Sequence, residues 1–326
     1  NGLPYFQLKL QHRMRPCISD LLVPLFYKEL KDHPSVLKYK EVKGVAKSLY
    51  FIDHNQWEKM VSDSKSRSNL HECEFVVRLS LYLVMQGYKQ SQITILAMYS
   101  GQLFAIKNAM KRYSELAGVR ATVVDNFQGE ENDIIILSFV RSNVEGDIGF
   151  LKVGNRINVS LSRAKMGLYA IGNFTKMAEV DDSMWRPLID DLKKTNSIGH
   201  SLELYCQNHE DNKNSVSKAS DFDKVPEGGC LLPCAVKMKC GHMCRKSCHI
   251  YDKEHEIIKC SEKCGEKVCQ LGHRCIRPCH YPVKCGPCMV KVDKLRTSCG
   301  HTINVECFED PDNVDCIIKC GKLLSC

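Results

Sequence analysis

Apolar residues in the first 200 positions form two patterns, short β-branched runs and longer stretches with helical spacing. The short runs predict five strands, at residues 48–53, 93–98, 119–124, 134–140 and 168–171. The longer stretches predict helices at residues 18–30, from residue 72 to a stop at Gly87, and at residues 102–113, 155–164 and 185–194. Strands that alternate with helices indicate an α/β fold with a mostly parallel sheet covered on both faces.

The composition changes beyond residue 206. Residues 207–229 are polar, contain few large apolar side chains and end in Pro-Glu-Gly-Gly, which predicts a linker. Seventeen of the 20 cysteines lie after residue 229, in a stretch too poor in large apolar residues to fold on burial alone. We therefore predict an α/β domain over residues 1–206, a linker over 207–229 and an irregular Cys/His-rich repeat region over 230–326.

Charge and targeting signals add little to this picture. The formal net charge is +8, a mild excess that permits nucleic-acid binding without requiring it. The basic residues of the tail fit either phosphate contacts or solubility. No signal peptide and no apolar run of membrane-spanning length is visible. The cysteine-poor first region is typical of a reducing compartment.

Four short motifs give the first indication of function. They are LQHRMRP at residues 10–16, ITILAMYSGQ at 93–102, D-x-F-Q-G-x-E-x-D at 125–133 and N-V-x-x-S-R-A at 158–164. The last two lie in polar segments that feed buried strands, where α/β proteins often place ligand chemistry. In order and spacing the four resemble superfamily-one helicases, in particular the RNA-active branch that includes the nonsense-mediated-decay helicase. The resemblance covers roughly residues 3–200 and implies the second RecA-like domain of such a motor.

The resemblance also implies roles for single residues. Arg13 and Arg163 match the family's two arginines at the γ-phosphate, where a planar guanidinium stabilises the charge that develops in phosphoryl transfer. Glu131 matches the residue that contacts the nucleotide ribose. Gln128, followed by Gly129, matches the residue that links nucleotide state to the nucleic-acid groove. The positions that match nucleic-acid-coupling motifs are Tyr99, Gln102, Thr122 and Asp125.

Plainer interpretations stay open beside these. Arg13 and Arg163 could each form a surface or interdomain salt bridge, and Asp125 could brace backbone N–H groups of its loop. Val123 stands where relatives usually carry a hydroxyl, with Thr122 one step earlier, which weakens any hydroxyl–phosphate contact at this position.

A missing motif limits what the chain does alone. The sequence contains no G-x-x-x-x-G-K-[ST] to cradle the β-phosphate and hold Mg²⁺, and no acidic Walker-B pair. We expect the chain to be a fragment that begins inside a continuing domain. ATP with Mg²⁺ is then bound only together with an upstream RecA-like domain, and this chain by itself is expected to be inactive.

The tail repeats itself with a period of 31 residues. The pattern H-x-C-x3-C-H occurs at residues 242–249 and again at 273–280, each time after a C-x3-C pair, and a further repeat begins at residue 316. Short Cys and His spacings are typical of tetrahedral zinc sites, and zinc supplies folding energy that this region lacks. A disulfide framework is the alternative.

We predict about four to five zinc ions in this region. His255 breaks the repeat and is expected to be solvated, and Cys307 is ambiguous. The predicted ligands are Cys230, Cys234, Cys240, His242, Cys244, Cys248, His249, Cys260, Cys264, Cys269, His273, Cys275, Cys279, His280, Cys285, Cys288, Cys299, His301, Cys316 and Cys320.

These spacings resemble NF-X-type zinc fingers. A superfamily-one helicase core followed by such fingers resembles the NFX-type zinc-finger-containing RNA helicases, which implies a full-length ATP-dependent RNA helicase in RNA surveillance or antiviral sensing. It also implies single- or double-stranded RNA as partner, and the cytoplasm as location, including RNA granules or the cytosolic face of an organelle. Two alternatives stay open: a non-catalytic RNA-binding scaffold, and a zinc array that acts as a ubiquitin-ligase-type module or contacts other proteins.

Overall fold

The computed structural model describes residues 8–23, 25–60, 66–181, 183–319 and 321. The chain divides into two compact units. The first comprises Asn1–Leu232 together with Lys246–Lys253, and the second comprises Pro233–Arg245 together with Glu254–Cys326. The segment at 246–253, taken from the first Cys/His repeat, therefore folds with the α/β unit.

The first unit contains six α-helices among its described residues: α1 Pro16–Leu22, α2 Leu70–Met85, α3 Ser100–Met110, α4 Gly154–Leu161, α5 Phe174–Glu179 and α6 Trp185–Lys194. Its strands up to residue 172 are β1 Leu10–Gln11, β2 Lys31–Asp32, β3 Leu49–Asp53, β4 Lys59–Met60, β5 Arg67–Ser68, β6 Ile93–Ala97, β7 Arg120–Val123, β8 Asn132–Ser138 and β9 Ala164–Gly172. Five more follow: β10 Ile198–Gly199, β11 Leu202–Cys206, β12 His209–Val216, β13 Gly228–Pro233 and β14 Ser247–His249.

A six-stranded parallel sheet forms the centre of this unit. Its strand order is β10-β3-β9-β8-β6-β7, and every neighbouring pair is parallel. The predicted α/β class and all five predicted strands are thus confirmed. Helix α6 has the predicted bounds, whereas α1 begins at Pro16 and ends at Leu22, earlier than predicted. Val23 is extended (φ −103°, ψ 125°), as expected for a residue that precedes a proline in the sequence.

Both faces of the sheet are buried, and successive residues of β8 show it. Ile135 and Leu137 belong to the cluster that contains Trp185, while Ile134 and Ile136 belong to a second cluster on the opposite face. Continuous β-branched runs suit this position, because a parallel strand covered on both sides has no solvent-facing residues.

The predicted linker at residues 207–229 is wrong, because this segment is folded. Strands β11 and β12 pair as an antiparallel hairpin, and Val216, Phe222 and Val225 are buried in the second cluster. The Phe222 ring lies 5.5 Å from the ring of Phe75 on α2. The segment has a linker-like composition because half of the residues of β12 are exposed and only Val216 is buried, so that a few apolar residues suffice to attach it.

The second unit has little apolar core. Its regular element is the antiparallel hairpin of β15 (Lys291–Leu295) and β16 (Thr302–Glu306). Apart from cysteines, the buried apolar side chains among its described residues are Met238, Ile258, Ile303 and Val305. In neither unit does a helix of the described residues have the length and hydropathy needed to cross a membrane.

Candidate functional site

A charged cluster lies at the amino end of the central sheet, where β8 and β9 begin. Glu131 immediately precedes β8, and Arg163 and Lys165 flank the first residue of β9. Arg13 joins them from the segment between β1 and α1, because the backbone N–H of Arg15 donates to the Lys165 carbonyl over 2.9 Å. The fold thus brings four charged side chains together from three distant stretches of sequence.

The turn that presents Arg13 is fixed by the buried side chain of Gln11. Its Oε1 accepts hydrogen bonds from the backbone N–H groups of Arg13 and Met14 at 2.8 and 2.7 Å. Its Nε2 donates to the Met14 carbonyl over 2.6 Å. Because both ends of the buried amide are satisfied, the turn is held in one conformation.

Glu131 is the carboxylate at the centre of the cluster. It accepts from Nζ of Lys165 over 2.9 Å and pairs with Nε of Arg13. The hydrogen bond from Lys165, followed by that from Arg13, holds the pKa of Glu131 below its ordinary value. All three side chains remain 30 to 38% exposed, so a ligand can reach them from solvent.

The guanidinium of Arg163 donates its hydrogen bonds to neutral oxygens. Its guanidinium donates to the carbonyls of Val159 (2.9 Å) and Glu130 (3.2 Å) and to Oγ of Ser162 (3.0 Å). The Ser162 carbonyl also accepts from Nη1 of Arg13 at 3.1 Å. Burial, and then the positive charge of Arg13, lowers the pKa of Arg163. The Glu131 carboxylate is thus paired with one guanidinium and one ammonium, and the second guanidinium, Arg163, lies beside Arg13 on Ser162. This excess of positive charge suits a bound polyanion.

Gln128 and Gly129 are exposed in the loop that joins β7 to β8. Gly129 has φ +83°, a conformation that favours glycine. The loop is braced by the ion pair of Arg120 with Glu130, and the Arg120 guanidinium lies 5.0 Å from the ring of Phe127. The loop runs from the carboxyl end of one strand to the amino end of the next. The loop therefore connects the two ends of the sheet.

The remaining predicted residues lie away from the charged cluster. Thr122 is half-buried near the end of β7, and exposed Asp125 pairs with Arg156 over 2.9 Å. Tyr99 precedes α3 and is buried, with its ring 5.8 Å from that of Phe150. These residues lie at or just after the carboxyl ends of β6 and β7, whereas Arg13 and Arg163 lie at the amino ends of β8 and β9.

Gln102 is fully buried, which leaves it no surface for a direct contact with nucleic acid. Its side-chain amide exchanges hydrogen bonds with the backbone of Asn69 at 2.8 and 3.0 Å and donates to Oγ of Ser138 over 2.8 Å. Ser138 in turn donates to the buried carboxylate of Glu72 over 2.6 Å. Any coupling through Gln102 must therefore act through α2 and β8.

Among the described residues of the second unit, the cysteines and histidines lie in compact groups. Each group has ligand atoms within 4.8 Å of one another. They are Cys234, Cys244 and His255; Cys240, His242, Cys260 and Cys279; Cys264, Cys275, His280 and Cys285; and Cys269, His273, Cys288 and Cys307. Sγ of Cys316 lies 3.4 Å from Nδ1 of His301, and a hydrogen bond from the Cys299 thiol helps to lower the pKa of Cys316. Cys320 lies outside the described residues, and His249 lies in the first unit on β14.

Distances within these groups fit zinc. Sγ of Cys260 is 3.5 Å from Nδ1 of His242, and Sγ of Cys269 is 3.3 Å from Nδ1 of His273. Tetrahedral zinc with ordinary Zn–S and Zn–N bonds separates its ligands by about 3.5 to 3.8 Å, whereas a disulfide joins sulfurs at about 2.05 Å. The described cysteines are free of disulfides. When bound, zinc would hold these ligands together as a structural ion.

Comparison with known proteins agrees with both halves of this description. A family model described as an AAA domain matches residues 2–175. The NFX1-type zinc finger-containing protein 1 of Mus musculus is 49% identical over 325 residues, which is 100% of this chain and 17% of that protein. This chain belongs to the superfamily-one helicases of the NFX1-type zinc-finger-containing group.

Other relatives cover different shares of this chain. The Caenorhabditis elegans homologue of the mouse protein is 37% identical over 341 residues, covering 100% of this chain and 14% of that protein. The Helicase required for RNAi-mediated heterochromatin assembly 1 of Schizosaccharomyces pombe is 32% identical over 213 residues, covering 64% of this chain and 21% of its own length. The chain thus spans 14 to 17% of the curated NFX1-type relatives it matches.

Sequence reasoning missed five residues that the structure places at candidate sites. Lys165 completes the charged cluster of this helicase chain, two positions after the motif arginine. His255 was expected to be solvated but is buried, with Nε2 3.3 Å from Sγ of Cys234, so that expectation is wrong. Cys307 joins a metal group. Cys206 and His209 lie outside the repeats and form a metal group with Cys230 and Cys248. Their C-x2-H spacing is the sequence signal that could have revealed them.

Proposed function

We propose that this chain is the C-terminal part of an ATP-dependent RNA helicase and supplies the arginine fingers of its ATP site. The observation that carries the proposal is the cluster at the amino end of β8 and β9. There Arg13 and Arg163 both donate hydrogen bonds to Ser162, and Arg13 also pairs with the carboxylate of Glu131.

The charges of this cluster fit the phosphates of ATP. Phosphoryl transfer spreads negative charge over the γ-phosphate, and an arginine finger stabilises that charge. Arg163 already has its Nε and both terminal nitrogens on neutral oxygens, so its positive charge is oriented without being neutralised by a carboxylate bond. Glu131, which pairs with Arg13 and Lys165 here, is the candidate ribose contact. The β-phosphate cradle and the Mg²⁺ ligands would come from an upstream domain of the same protein.

RNA is the proposed nucleic acid, bound toward the carboxyl ends of β6 and β7. Tyr99, Thr122 and Asp125 lie at that end, and the loop with Gln128 connects it to the charged cluster. The name of the Schizosaccharomyces pombe relative refers to RNAi, which supports RNA as substrate. We propose the zinc array as an RNA- or protein-contacting appendage, and RNA surveillance or antiviral sensing in the cytoplasm as the setting.

The proposal predicts that ATP hydrolysis requires both RecA-like domains. RNA-stimulated ATPase would be measured for this chain and for the natural protein extended upstream to include a P-loop. We expect no hydrolysis above background from the chain alone, and hydrolysis that rises with added RNA in the extended protein. An extended protein that binds RNA without hydrolysing ATP would instead indicate a non-catalytic scaffold.

A further inference from the structure

Four side chains of types that bind metal ions lie close together within the first unit, and none of them belongs to the groups of the second unit. They are Cys206 at the end of β11, His209 at the start of β12, Cys230 on β13 and Cys248 on β14. Their ligand atoms all lie within 4.8 Å of one another. All four positions belong to the first compact unit.

The separations match one tetrahedral ion. Sγ of Cys206 is 3.6 Å from Nδ1 of His209 and 3.6 Å from Sγ of Cys248, and Sγ of Cys230 is 3.4 Å from the same Nδ1. Sulfurs 3.6 Å apart are too distant for a disulfide and at the spacing that zinc imposes on its ligands. The three cysteines are only 2 to 3% exposed, as in closed structural sites.

The surroundings of the four ligands are built to hold them. Nδ2 of Asn208 donates to Sγ of Cys248 over 3.3 Å and to the carbonyl of His249 over 3.3 Å, the kind of bond that orients a thiolate around a metal. A Cβ at Gly229 would lie 2.8 Å from Sγ of Cys248 and would overlap its carbonyl. Only glycine lets β13 approach the fourth ligand this closely.

We propose that Cys206, His209, Cys230 and Cys248 bind a structural zinc ion that belongs to the helicase domain and not to the zinc-finger array. Two of its ligands, Cys206 and His209, lie before the repeats, and two are taken from the first repeat. The ion closes the β11–β12 hairpin and ties it to β13 and β14.

The site also connects to the core of the helicase unit. Nε2 of Gln207, between the first two ligands, donates to Oε1 of Gln86 over 2.9 Å, and Nε2 of Gln86 donates to the Gly228 carbonyl over 2.7 Å. Gln86 is buried at the end of α2. Loss of the metal should therefore loosen the segment that buries one end of α2, so the stability of the helicase unit should depend partly on zinc.

Substitution of one ligand provides the test, with zinc counted by mass spectrometry of the purified chain. Cys206→Ser is expected to lose one zinc per chain and to lower the midpoint of thermal unfolding by about 5 °C or more. Tryptophan fluorescence reports the unfolding of the first unit, because both tryptophans of the chain, Trp57 and Trp185, lie in it. Cys17→Ser is the matched control, since exposed Cys17 belongs to none of the described metal groups named above. It should change neither quantity.

A second variant keeps the proposal testable if Cys206→Ser fails to fold. His209→Cys retains four ligands and replaces a nitrogen by a sulfur. With the zinc exchanged for ¹¹³Cd, one cadmium resonance should move downfield toward the four-sulfur range while the others stay. Unchanged zinc content in folded Cys206→Ser, or an unchanged cadmium spectrum in His209→Cys, would overturn the proposal.

Discussion

Replacing Arg163 by alanine is expected to lower kcat for RNA-stimulated ATP hydrolysis by about 10³-fold or more in the protein extended to include its P-loop. The guanidinium is oriented by hydrogen bonds to neutral oxygens of Val159, Glu130 and Ser162, so these bonds leave its positive charge available to the γ-phosphate. Its contribution should be made in the transition state, so KM for ATP should change little.

Two companion variants separate charge from geometry. Arg163→Lys keeps the charge but loses the planar fork, and an intermediate kcat is expected. Arg186→Ala is the control, because Arg186 is exposed on α6 and donates to the Ala178 carbonyl, away from the cluster. It should leave kcat unchanged. If Arg163→Ala kept the wild-type kcat, the arginine-finger assignment would fail and Arg163 would be a structural brace only.

Removing zinc with a chelator is expected to unfold the second unit. Its described residues bury only four large apolar side chains other than cysteine, whereas structural zinc contributes roughly 10 kcal/mol or more per site to small folds of this kind. Burying four such side chains supplies about 6 to 12 kcal/mol before the entropy of ordering is counted. Metal binding therefore decides whether this unit folds.

Circular dichroism and amide NMR would follow this loss, and added zinc should restore the folded signals. Emission from buried Trp185 provides an internal control, because the central sheet has its own core and should remain folded at 25 °C, although less stable. A second unit that kept its dispersed amide signals after complete metal removal would show that burial or disulfides hold it instead.

The sheet was predictable from sequence because its strands are buried on both faces. Runs such as residues 134–140 have no polar alternation, and their length distinguishes them from helices. The position of the site was less predictable. Ligands in open α/β sheets usually bind beyond the carboxyl ends of the strands, yet Arg13, Glu131 and Arg163 gather at the amino ends. Only the pairing of Arg15 with Lys165 in three dimensions shows this.

The spacing of cysteines and histidines along the sequence does not predict which of them share a metal ion. Cys285 and Cys288 are three positions apart, yet they belong to different groups, and Cys230 and Cys234 are likewise separated. The ligand sets interleave, because each repeat gives residues to its neighbours' sites. Cys206 and His209 were missed for a related reason. The polar composition of their segment predicts a linker, because only a few apolar side chains, such as Phe222, pack the segment against α2.

The most direct measurement is the affinity of the extended protein, with RNA present, for ADP combined with aluminium fluoride, which imitates the transferring phosphoryl group. We expect Arg163→Ala to bind ADP as the wild type does but to bind the aluminium fluoride complex more weakly, by a factor close to its loss in kcat. Equal affinity of the two proteins for that complex would contradict the claim that this chain completes the ATP site.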